Sequence, residues 1–350
     1  MLEVGTDPIT IKLFGGKKMK KLFALLLALV LVFSLAACGS SNNEGGSEEG
    51  GESAEKKVAV FNYNSMNAAA NPIMEGMVDV IEEHGDEYIY AAADNTEANI
   101  LQVFDELVAR DDIKAIVFPN INDTLLLDSI KRAKEKGIVV ATMDIRLEDD
   151  ENSRLVVSQT LDDNYQGGYD CADLILTTLE NQGVTPKVIY MTYRGNNACR
   201  DRSNGYDDAM KAHPNAELLY EADVTTVGTI SDATEDLLLK YPECNAIFAV
   251  YDGGAVQVLA GCKAQGRNDI LICTQDGGTD VQDFIKNGEM FCAACQPLYE
   301  MGRNTAESAY KALNGEEQEY WYNYEIPIIT KENVQATIDQ FSKFTYRWMG

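Results

Sequence analysis

The chain has few of the residues and motifs on which catalysis and nucleic-acid binding depend. Histidine occurs only twice in 350 residues, and 56 acidic residues against 29 basic ones give a formal net charge of -27. Such a surface repels polyanions, so nucleic acid is not expected as a partner. A phosphate-binding loop, a Gly-x-Ser-x-Gly elbow and a dinucleotide-binding glycine motif after a strand are missing. We therefore expect a protein that is not an enzyme, needs no cofactor or metal, and binds a small molecule or a protein.

The cysteines do not form the even, regularly spaced set of a disulfide framework. Eight are present, and seven remain once Cys38 near the amino terminus is set aside. Cys292 and Cys295 lie in a strand-like segment, where residues three apart point to opposite faces. No second pair and no nearby histidine completes a zinc site. Buried free thiols are therefore expected.

The amino terminus has the layout of an export signal. Met19-Lys20-Lys21 is followed by an apolar run over 22–37 and then Cys38. The end of this run, Leu35-Ala36-Ala37-Cys38, resembles a bacterial lipobox, which implies cleavage before Cys38, lipidation of its sulfur and attachment to the outer face of the cell membrane. A transmembrane anchor is the alternative, because the run is nearly long enough to cross a bilayer.

Two segments flank this signal without adding to a folded core. Residues 1–18 are interpreted as an upstream extension, so that 1–38 comprises extension and signal peptide. Residues 39–57 are rich in Gly, Ser, Asn and Glu and predict a disordered linker. The folded protein is therefore expected to be extracytoplasmic and tethered through Cys38.

From residue 58 onwards, apolar strands alternate with amphipathic helices. This pattern predicts an α/β fold with parallel sheets covered on both faces. The predicted elements include a strand over 155–160 and a helix over 202–212. Two arrays of similar size each contain an apolar strand that ends in an acid, Asp144 in the first and Asp276 in the second.

Several polar residues fall at or just after predicted strand ends, where open α/β folds bind ligands. These residues are Asp144, Arg146, Arg200, Arg202, Asp252, Asp276 and Gln296. A hydroxyl group donates to a carboxylate and accepts from a guanidinium, so the set suits a ligand rich in hydroxyls. The alternative is local helix capping and ion pairing.

Short motifs in a fixed order resemble those of one family. They are Asp163-Asn164-x-x-Gly167-Gly168, Arg200-Asp201-Arg202-Ser203-Asn204-Gly205-Tyr206, Tyr251-Asp252, Gln275-Asp276-Gly277, Gln296 and the late Ile329-Thr330-x-Glu-Asn-Val. In this order and spacing, residues 57–333 resemble the type I periplasmic sugar-binding proteins, the ribose/galactose-binding group of ABC-transporter substrate-binding proteins.

The resemblance implies two Rossmann-like lobes joined by three crossings, with hinge closure around a ligand in the cleft. One lobe would comprise 58–162 plus 297–322, and the other 163–296 plus 323–350. The implied ligand-binding residues, with Arg146 added from its place after Asp144, are Asn67, Asp144, Arg146, Arg202, Tyr251, Asp276 and Gln296.

The chain departs from the family pattern on one side of the implied cleft. Aromatic residues that stack on the sugar follow the first asparagine in the family, whereas alanines at 68–70 follow Asn67 here. The arginine expected directly after Asp144 is displaced to Arg146. Tyr63, Tyr193 or Tyr251 are candidates to replace the missing rings.

These expectations combine into one function with alternatives. We expect a monomeric, lipid-anchored binding protein that captures a sugar or sugar-like molecule and delivers it to an ABC permease. A sensor that presents its ligand to a membrane kinase or chemoreceptor is the alternative, and a nucleoside or a signalling molecule is the alternative ligand.

Overall fold

The computed structural model describes residues 56–64, 70–148 and 154–346. Within them, two six-stranded sheets alternate with helices. The elements up to the first departure from the first sheet are β1 (Lys57–Asn62), α1 (Ala70–Glu83), β2 (Tyr88–Ala92), α2 (Glu97–Ala109), β3 (Ile113–Asn120), α3 (Leu127–Glu135), β4 (Val139–Asp144) and β5 (Ser158–Asp162).

The second sheet is built from the middle of the chain. Its elements are α4 (Asn164–Asn181), β6 (Lys187–Thr192), α5 (Asn197–Ala212), β7 (Glu217–Asp223), α6 (Ile230–Lys240), β8 (Ala246–Ala249), α7 (Asp252–Ala264), β9 (Leu271–Asp276), α8 (Thr279–Asn287) and β10 (Cys292–Cys295). The chain then continues through α9 (Leu298–Leu313), β11 (Trp321–Tyr324), β12 (Ile328–Thr330) and α10 (Val334–Phe341).

Both sheets are dominated by parallel pairing. The strand orders are β11-β5-β4-β3-β1-β2 and β12-β10-β9-β8-β6-β7. All pairs are parallel except β10 with β12, which is antiparallel. Apolar clusters cover both faces of each sheet, as parallel sheets require. The predicted α/β fold with two parallel sheets is confirmed.

We use first lobe and second lobe for the two sheets with the helices that cover them. The chain passes between them after β5, after β10 and after β11. The three connections lie side by side: Asp163 N–H donates to Tyr324 O at 3.0 Å, and Cys295 N–H donates to Pro327 O at 2.8 Å. The Gln296 amide donates to the Asp162 carboxylate. Residues beside the cleft are therefore hydrogen-bonded to the hinge.

The end of the chain differs from the expected division. The first sheet includes β11 up to Tyr324, because this strand pairs with the edge of β5 that β4 leaves unpaired. The third connection therefore falls beyond residue 322. Phe344 then stacks on Tyr299 of α9, with ring centroids 4.8 Å apart. Thr345 donates through its backbone N–H and its hydroxyl to Glu75 of α1. Residues 344–346 thus contact the first lobe, and Phe344 also packs against Phe341 of α10.

Two elements differ from prediction in ways that matter for the site. The helix predicted over 202–212 begins at Asn197, because the side chain of Asn196 caps it by accepting from Cys199 N at 2.8 Å. The strand predicted over 155–160 is displaced to β5, whose register with β11 extends it to Asp162.

Candidate functional site

Three aspartates end strands at the edges of the two sheets that face each other. Asp144 ends β4, Asp162 ends β5 and Asp276 ends β9. Asp144 and Asp276 both have left-handed backbones, with φ of 74° and 89°. Aspartate tolerates this conformation better than most residues, and such backbone strain is concentrated at functional sites. The repeated strand endings thus have the same local geometry in the two lobes.

Arg202 lies on the first turns of α5, not directly after a strand as the sequence pattern suggested. Close packing of α4 against α5 places it there. A Cβ atom on Gly168 would lie 2.3 Å from Arg202 O, and one on Gly205 would lie 2.2 Å from Tyr165 O. Only glycine at these two positions allows the helix backbones to approach so closely, which explains the glycines in both motifs.

Arg202 is 4% exposed and is held by acceptors on three sides. Its Nη1 lies 2.8 Å from Asp276 Oδ1 and donates to Val250 O at 3.0 Å. Its Nε donates to Asn164 Oδ1 at 2.6 Å. Burial alone would lower the pKa of the guanidinium, but the neighbouring acids, chiefly Asp276, raise it above its usual value. Arg202 is therefore a fixed cation at the centre of the second-lobe face.

Asp162 is the least solvated acid of the group, with 7% of its surface exposed. It accepts from Asn164 Nδ2 at 2.6 Å and from the amide of Gln296. Burial, and then repulsion from Asp144, raises the pKa of Asp162 to about 7. Burial raises the pKa of Asp144 to about 6, opposed by Arg202. Both acids therefore hold protons more tightly than an ordinary aspartate.

Asp144 and Asp162 border a cavity of about 200 Å³ at the facing edges of the sheets. Asp144, Asp162 and Asn164 line its base, and Asp201 and Asn197 of α5 line its second-lobe side. Most of the lining residues are polar or charged; Leu161 and Ala198 are apolar, and Tyr165 is the aromatic residue. This lining suits a polar ligand of small size.

The two lobes make direct hydrogen bonds at the rim of this cavity. Asn197 Nδ2 donates to Arg146 O at 2.6 Å, and Arg146 N–H donates to Asn197 Oδ1 at 3.2 Å. Asn197 N–H also donates to Asp123 Oδ1 at 3.4 Å, and Arg200 lies 3.9 Å from the Asp123 carboxylate. The structure therefore has the cleft in a closed arrangement.

The predicted ligand residues divide into three groups. Asp144, Arg202, Asp276 and Gln296 are brought together around the base of the cleft. Arg146 lies at the rim, where its backbone binds Asn197 and its side chain is exposed. Asn67 and the predicted lipidation site Cys38 lie outside the described residues.

Two residues after β8 have mainly structural contacts. Tyr251 precedes α7, and its half-buried ring packs against the second-lobe core. Asp252 accepts from Gly277 N–H at 3.3 Å and from Gly278 N–H at 2.5 Å. Asp252 therefore shapes the turn that follows Asp276, and burial beside Asp276 raises its pKa well above the usual value.

The other candidate rings lie away from the cavity. Tyr63 packs against the first-lobe core, and Tyr193 packs against the second-lobe core. The ring of Tyr193 folds back over Gly195, where an added Cβ would lie 2.2 Å from its hydroxyl. Neither tyrosine, nor Tyr251, is among the residues that line the cavity. The hydroxyl of Tyr165, which does line it, donates to Asp208 at 2.7 Å.

The thiols and imidazoles are structural in the described part of the chain. All seven cysteines from Cys171 to Cys295 are buried and free, as predicted. His84 stacks on Tyr310, and His213 bridges Asp173 and Glu180. Among residues 56–64, 70–148 and 154–346, no group of three or more His, Cys, Asp and Glu side chains could hold a metal ion. None of the helices in these ranges is both long and apolar enough to cross a membrane.

Sequence reasoning missed three residues at the cleft: Asp162, Asn164 and Asn197. A signal for Asp162 was present, since it is another acid at the end of an apolar stretch, like Asp144 and Asp276. Asn164 lies inside the Asp163-Asn164 motif but was not assigned a role. Asn197 has no local signal, because its partner is a backbone group 51 residues away.

The fold and the cleft are those of a two-lobed binding protein. A family model described as the periplasmic binding protein domain matches residues 58–317, which span most of the chain. The chain belongs to this family. Proteins of the family bind substrates rather than transform them.

Curated relatives match at low identity. The ribose import binding protein of Escherichia coli (strain K12) is 25% identical over 268 residues, covering 75% of this chain and 88% of the relative. The D-apiose import binding protein of Paraburkholderia graminis is 24% identical over 253 residues, covering 71% of this chain and 77% of the relative.

Solved structures share the fold. The arabinose-binding protein AraP of Geobacillus stearothermophilus superposes with a TM-score of 0.71 at 18% identity, covering 81% of this chain and 99% of that one. A periplasmic solute-binding protein of Actinobacillus succinogenes 130z with bound D-allose gives a TM-score of 0.73 at 18% identity, covering 81% and 100%. At these identities the structural similarity establishes the shared fold. The ligand has to be inferred from the residues of the site.

Proposed function

We propose that this protein is an extracytoplasmic solute-binding protein that captures a sugar or sugar-like molecule between its two lobes. The observation that carries the proposal is a polar cavity of about 200 Å³ lined by Asp144 and Asp162, with the ion pair of Arg202 and Asp276 close enough to influence the pKa of Asp144. Its curated relatives include import binding proteins for ribose and D-apiose, which supports a carbohydrate.

The chemistry of the cleft suits hydroxyl groups. Ionised carboxylates accept hydrogen bonds, and each sugar hydroxyl can donate one. Arg202 is oriented by Asp276 and Asn164, so its position is set before a ligand enters. Charge-assisted hydrogen bonds of this kind are stronger than neutral ones. A ligand that contacts groups on both sheets satisfies donors and acceptors that would otherwise face water.

Closure follows from contacts that exist only when the lobes meet. The hydrogen bonds between Asn197 and Arg146 join the second lobe to the first. A ligand that touches both Asp144 and the Arg202–Asp276 pair binds the closed arrangement more tightly than the open one. It therefore shifts the population towards closure in proportion to that difference in affinity.

The cellular setting is part of the same proposal. Cleavage before Cys38 and lipidation of its sulfur would anchor the protein to the cell membrane, with 39–57 as a tether. The closed, loaded protein would present its ligand as a monomer to an ABC permease, without catalysis and without a cofactor. The sugar-import relatives support this partner.

A ligand panel tests the proposal. Thermal unfolding and tryptophan fluorescence are measured with a broad set of pentoses, hexoses and polyols, since Trp321 lies on β11 beside the hinge. A binding sugar should raise the melting temperature and change the emission. Asp276→Asn should abolish both effects, whereas Asp283→Asn, at an exposed position on α8, should retain them. A panel with no stabilising carbohydrate would refute the assignment.

A further inference from the structure

The carboxylates at the base of the cleft outnumber the cations buried with them. Asp144, Asp162 and Asp276 converge there, and Arg202 is the guanidinium that influences the pKa values of the first two. Asp276 makes the direct ion pair with Arg202, at 2.8 Å. The charge of Asp276 is therefore compensated at close range by Arg202. Asp144 and Asp162 experience only the more distant attraction of the same guanidinium.

The groups that contact the other two acids are neutral. Asp162 accepts from the amides of Asn164 and Gln296, and the Gln296 amide also lowers the pKa of Asp144. Amides satisfy the oxygen atoms of a carboxylate without neutralising its charge. Arg146 is an exposed cation that lines the rim of the same cavity, where it lowers the pKa of Asp201.

Both of these acids line the same cavity. A neutral sugar placed there leaves two mutually repelling carboxylates in a poorly solvated site unless a proton is bound. A ligand that brings its own positive charge removes this cost, because it pairs with both acids at once. Asp144 ends β4 and Asp162 ends the neighbouring β5, so the two acids reach the cavity from adjacent strands.

Resting on the proposed function, we propose that the preferred ligand is a sugar-like molecule that carries a protonated amine, and that this amine binds between Asp144 and Asp162. The hydroxyl groups of the ligand would face Arg202 and Asp276. The same site would discriminate against neutral sugars of equal size, since they leave the two acids unmatched.

Proton competition gives the proposal a measurable signature. The raised pKa values of Asp144 and Asp162, to about 6 and about 7, mean that the empty site holds protons near neutral pH. A cationic amine displaces them, whereas a neutral sugar requires at least one to remain. The charged groups that influence this pair are Arg202 of α5 and Asp276 of β9, and Arg146, Asp163 and Asp201 line the same cavity.

Isothermal titration calorimetry of the folded chain tests the charge preference. D-glucosamine, D-galactosamine, D-mannosamine and isomers with the amine elsewhere on the ring are compared with their neutral parents and N-acetyl derivatives at about pH 7. The best amino sugar should bind at least about tenfold more tightly than its parent. Repeating the titration in buffers of different ionisation enthalpy should reveal proton release with the amine.

Single substitutions distinguish an effect of side-chain charge on ligand preference from an effect of side-chain shape. Asp162→Asn keeps the size of the side chain and should reduce the preference for the amine to near unity, while neutral sugars bind as well as before or better. Asp283→Asn, exposed on α8, should leave the preference unchanged. Circular dichroism verifies that each variant is folded.

The outcomes distinguish the two proposals. If neutral sugars bind at least as tightly as every amino sugar, the cationic-ligand inference is wrong and the sugar-binding proposal stands. If an amine preference survives Asp162→Asn unchanged, the assignment to this pair is wrong. If no carbohydrate of either kind binds, the proposed function fails and this inference fails with it.

Discussion

Asp144 and Asp276 are equivalent positions in the two lobes, since each ends a parallel strand with a left-handed backbone, at φ of 74° and 89°. A left-handed residue turns the chain sharply away from the strand and leaves its side chain at the sheet edge. Asparagine tolerates this conformation about as well as aspartate, while alanine does not. Substitution by asparagine therefore tests the charge of each residue without adding backbone strain.

Asp276→Asn should lower both stability and ligand affinity. The change removes the ion pair with Arg202 and leaves a buried guanidinium without its closest counter-charge. Breaking such a pair from one side costs about 3 to 5 kcal/mol. Urea denaturation measures the free energy of unfolding, with Asp283→Asn as the matched control. An unchanged midpoint would show that the pair contributes little.

The sequence anticipated the sheet-edge acids better than it anticipated their neighbours. Asp144 and Asp276 follow short, mostly apolar runs, so the strand pattern alone locates them. Asp162 was missed because β5 is extended to it by pairing with β11, a strand about 160 residues away in the chain, as in the pair Trp321 and Gln159. Local propensity has no access to such a contact.

The positions of the arginines were harder to predict from the sequence than those of the acids. Arg202 was expected near a strand end, yet the cap at Asn196 starts α5 earlier and carries the arginine onto the helix. Its place in the site then depends on how closely α4 and α5 approach, which Gly168 and Gly205 permit. Arg146, which the sequence predicts as a ligand residue, follows the turn after Asp144, and its exposed side chain lines the rim of the cavity.

The stability of the empty protein should decrease between about pH 4 and pH 7 because of Asp162. In the unfolded chain this acid loses its proton near 3.8, whereas in the folded state it keeps it up to about 7. The folded state therefore binds more protons in this window, so the free energy of unfolding falls as the pH rises and levels off above it. Asp144, whose pKa is raised to about 6, adds to the same decrease in stability.

Comparison with Asp162→Asn isolates this contribution. The pKa of His213 is raised above 6.5, so its contribution to stability also decreases as the pH rises. The slope of the free energy of unfolding against pH in the wild-type protein is therefore the sum of the two contributions. The slope of the variant should be smaller, and its advantage over wild type should grow from acid to neutral pH. Urea titrations at several pH values measure both slopes. Parallel curves would show that Asp162 ionises normally in the folded protein.

Asn197→Ala should weaken closure without disturbing either lobe. The amide side chain makes two hydrogen bonds to the backbone of Arg146, at 2.6 and 3.2 Å. Losing them is expected to cost the closed state about 1 to 3 kcal/mol, a roughly 5- to 150-fold loss of ligand affinity. Small-angle scattering of the unliganded variant should show a more open average shape. Arg200→Ala, at the longer 3.9 Å contact with Asp123, is the comparison and should have a smaller effect.

The carboxyl-terminal residues 344–346 should stabilise the first lobe although α10 packs on the second. Phe344 stacks on Tyr299, and the Thr345 hydroxyl donates to Glu75 at 2.9 Å, a carboxylate that is only 3% exposed. Phe344→Ala combined with Thr345→Val removes the ring contact and the hydroxyl donor to a buried acid. We expect the free energy of unfolding to fall by about 1 to 3 kcal/mol.

Urea denaturation followed by circular dichroism measures this loss, with the exposed neighbour Lys343→Ala as the control. Because the tail joins α10 to α1 and α9, it adds a connection between the lobes beyond those beside the cleft. Hydrogen exchange should therefore increase in α1 around Glu75 in the double variant and remain unchanged in the control. Equal exchange in α1 for both proteins would show that the tail contact contributes nothing to the first lobe.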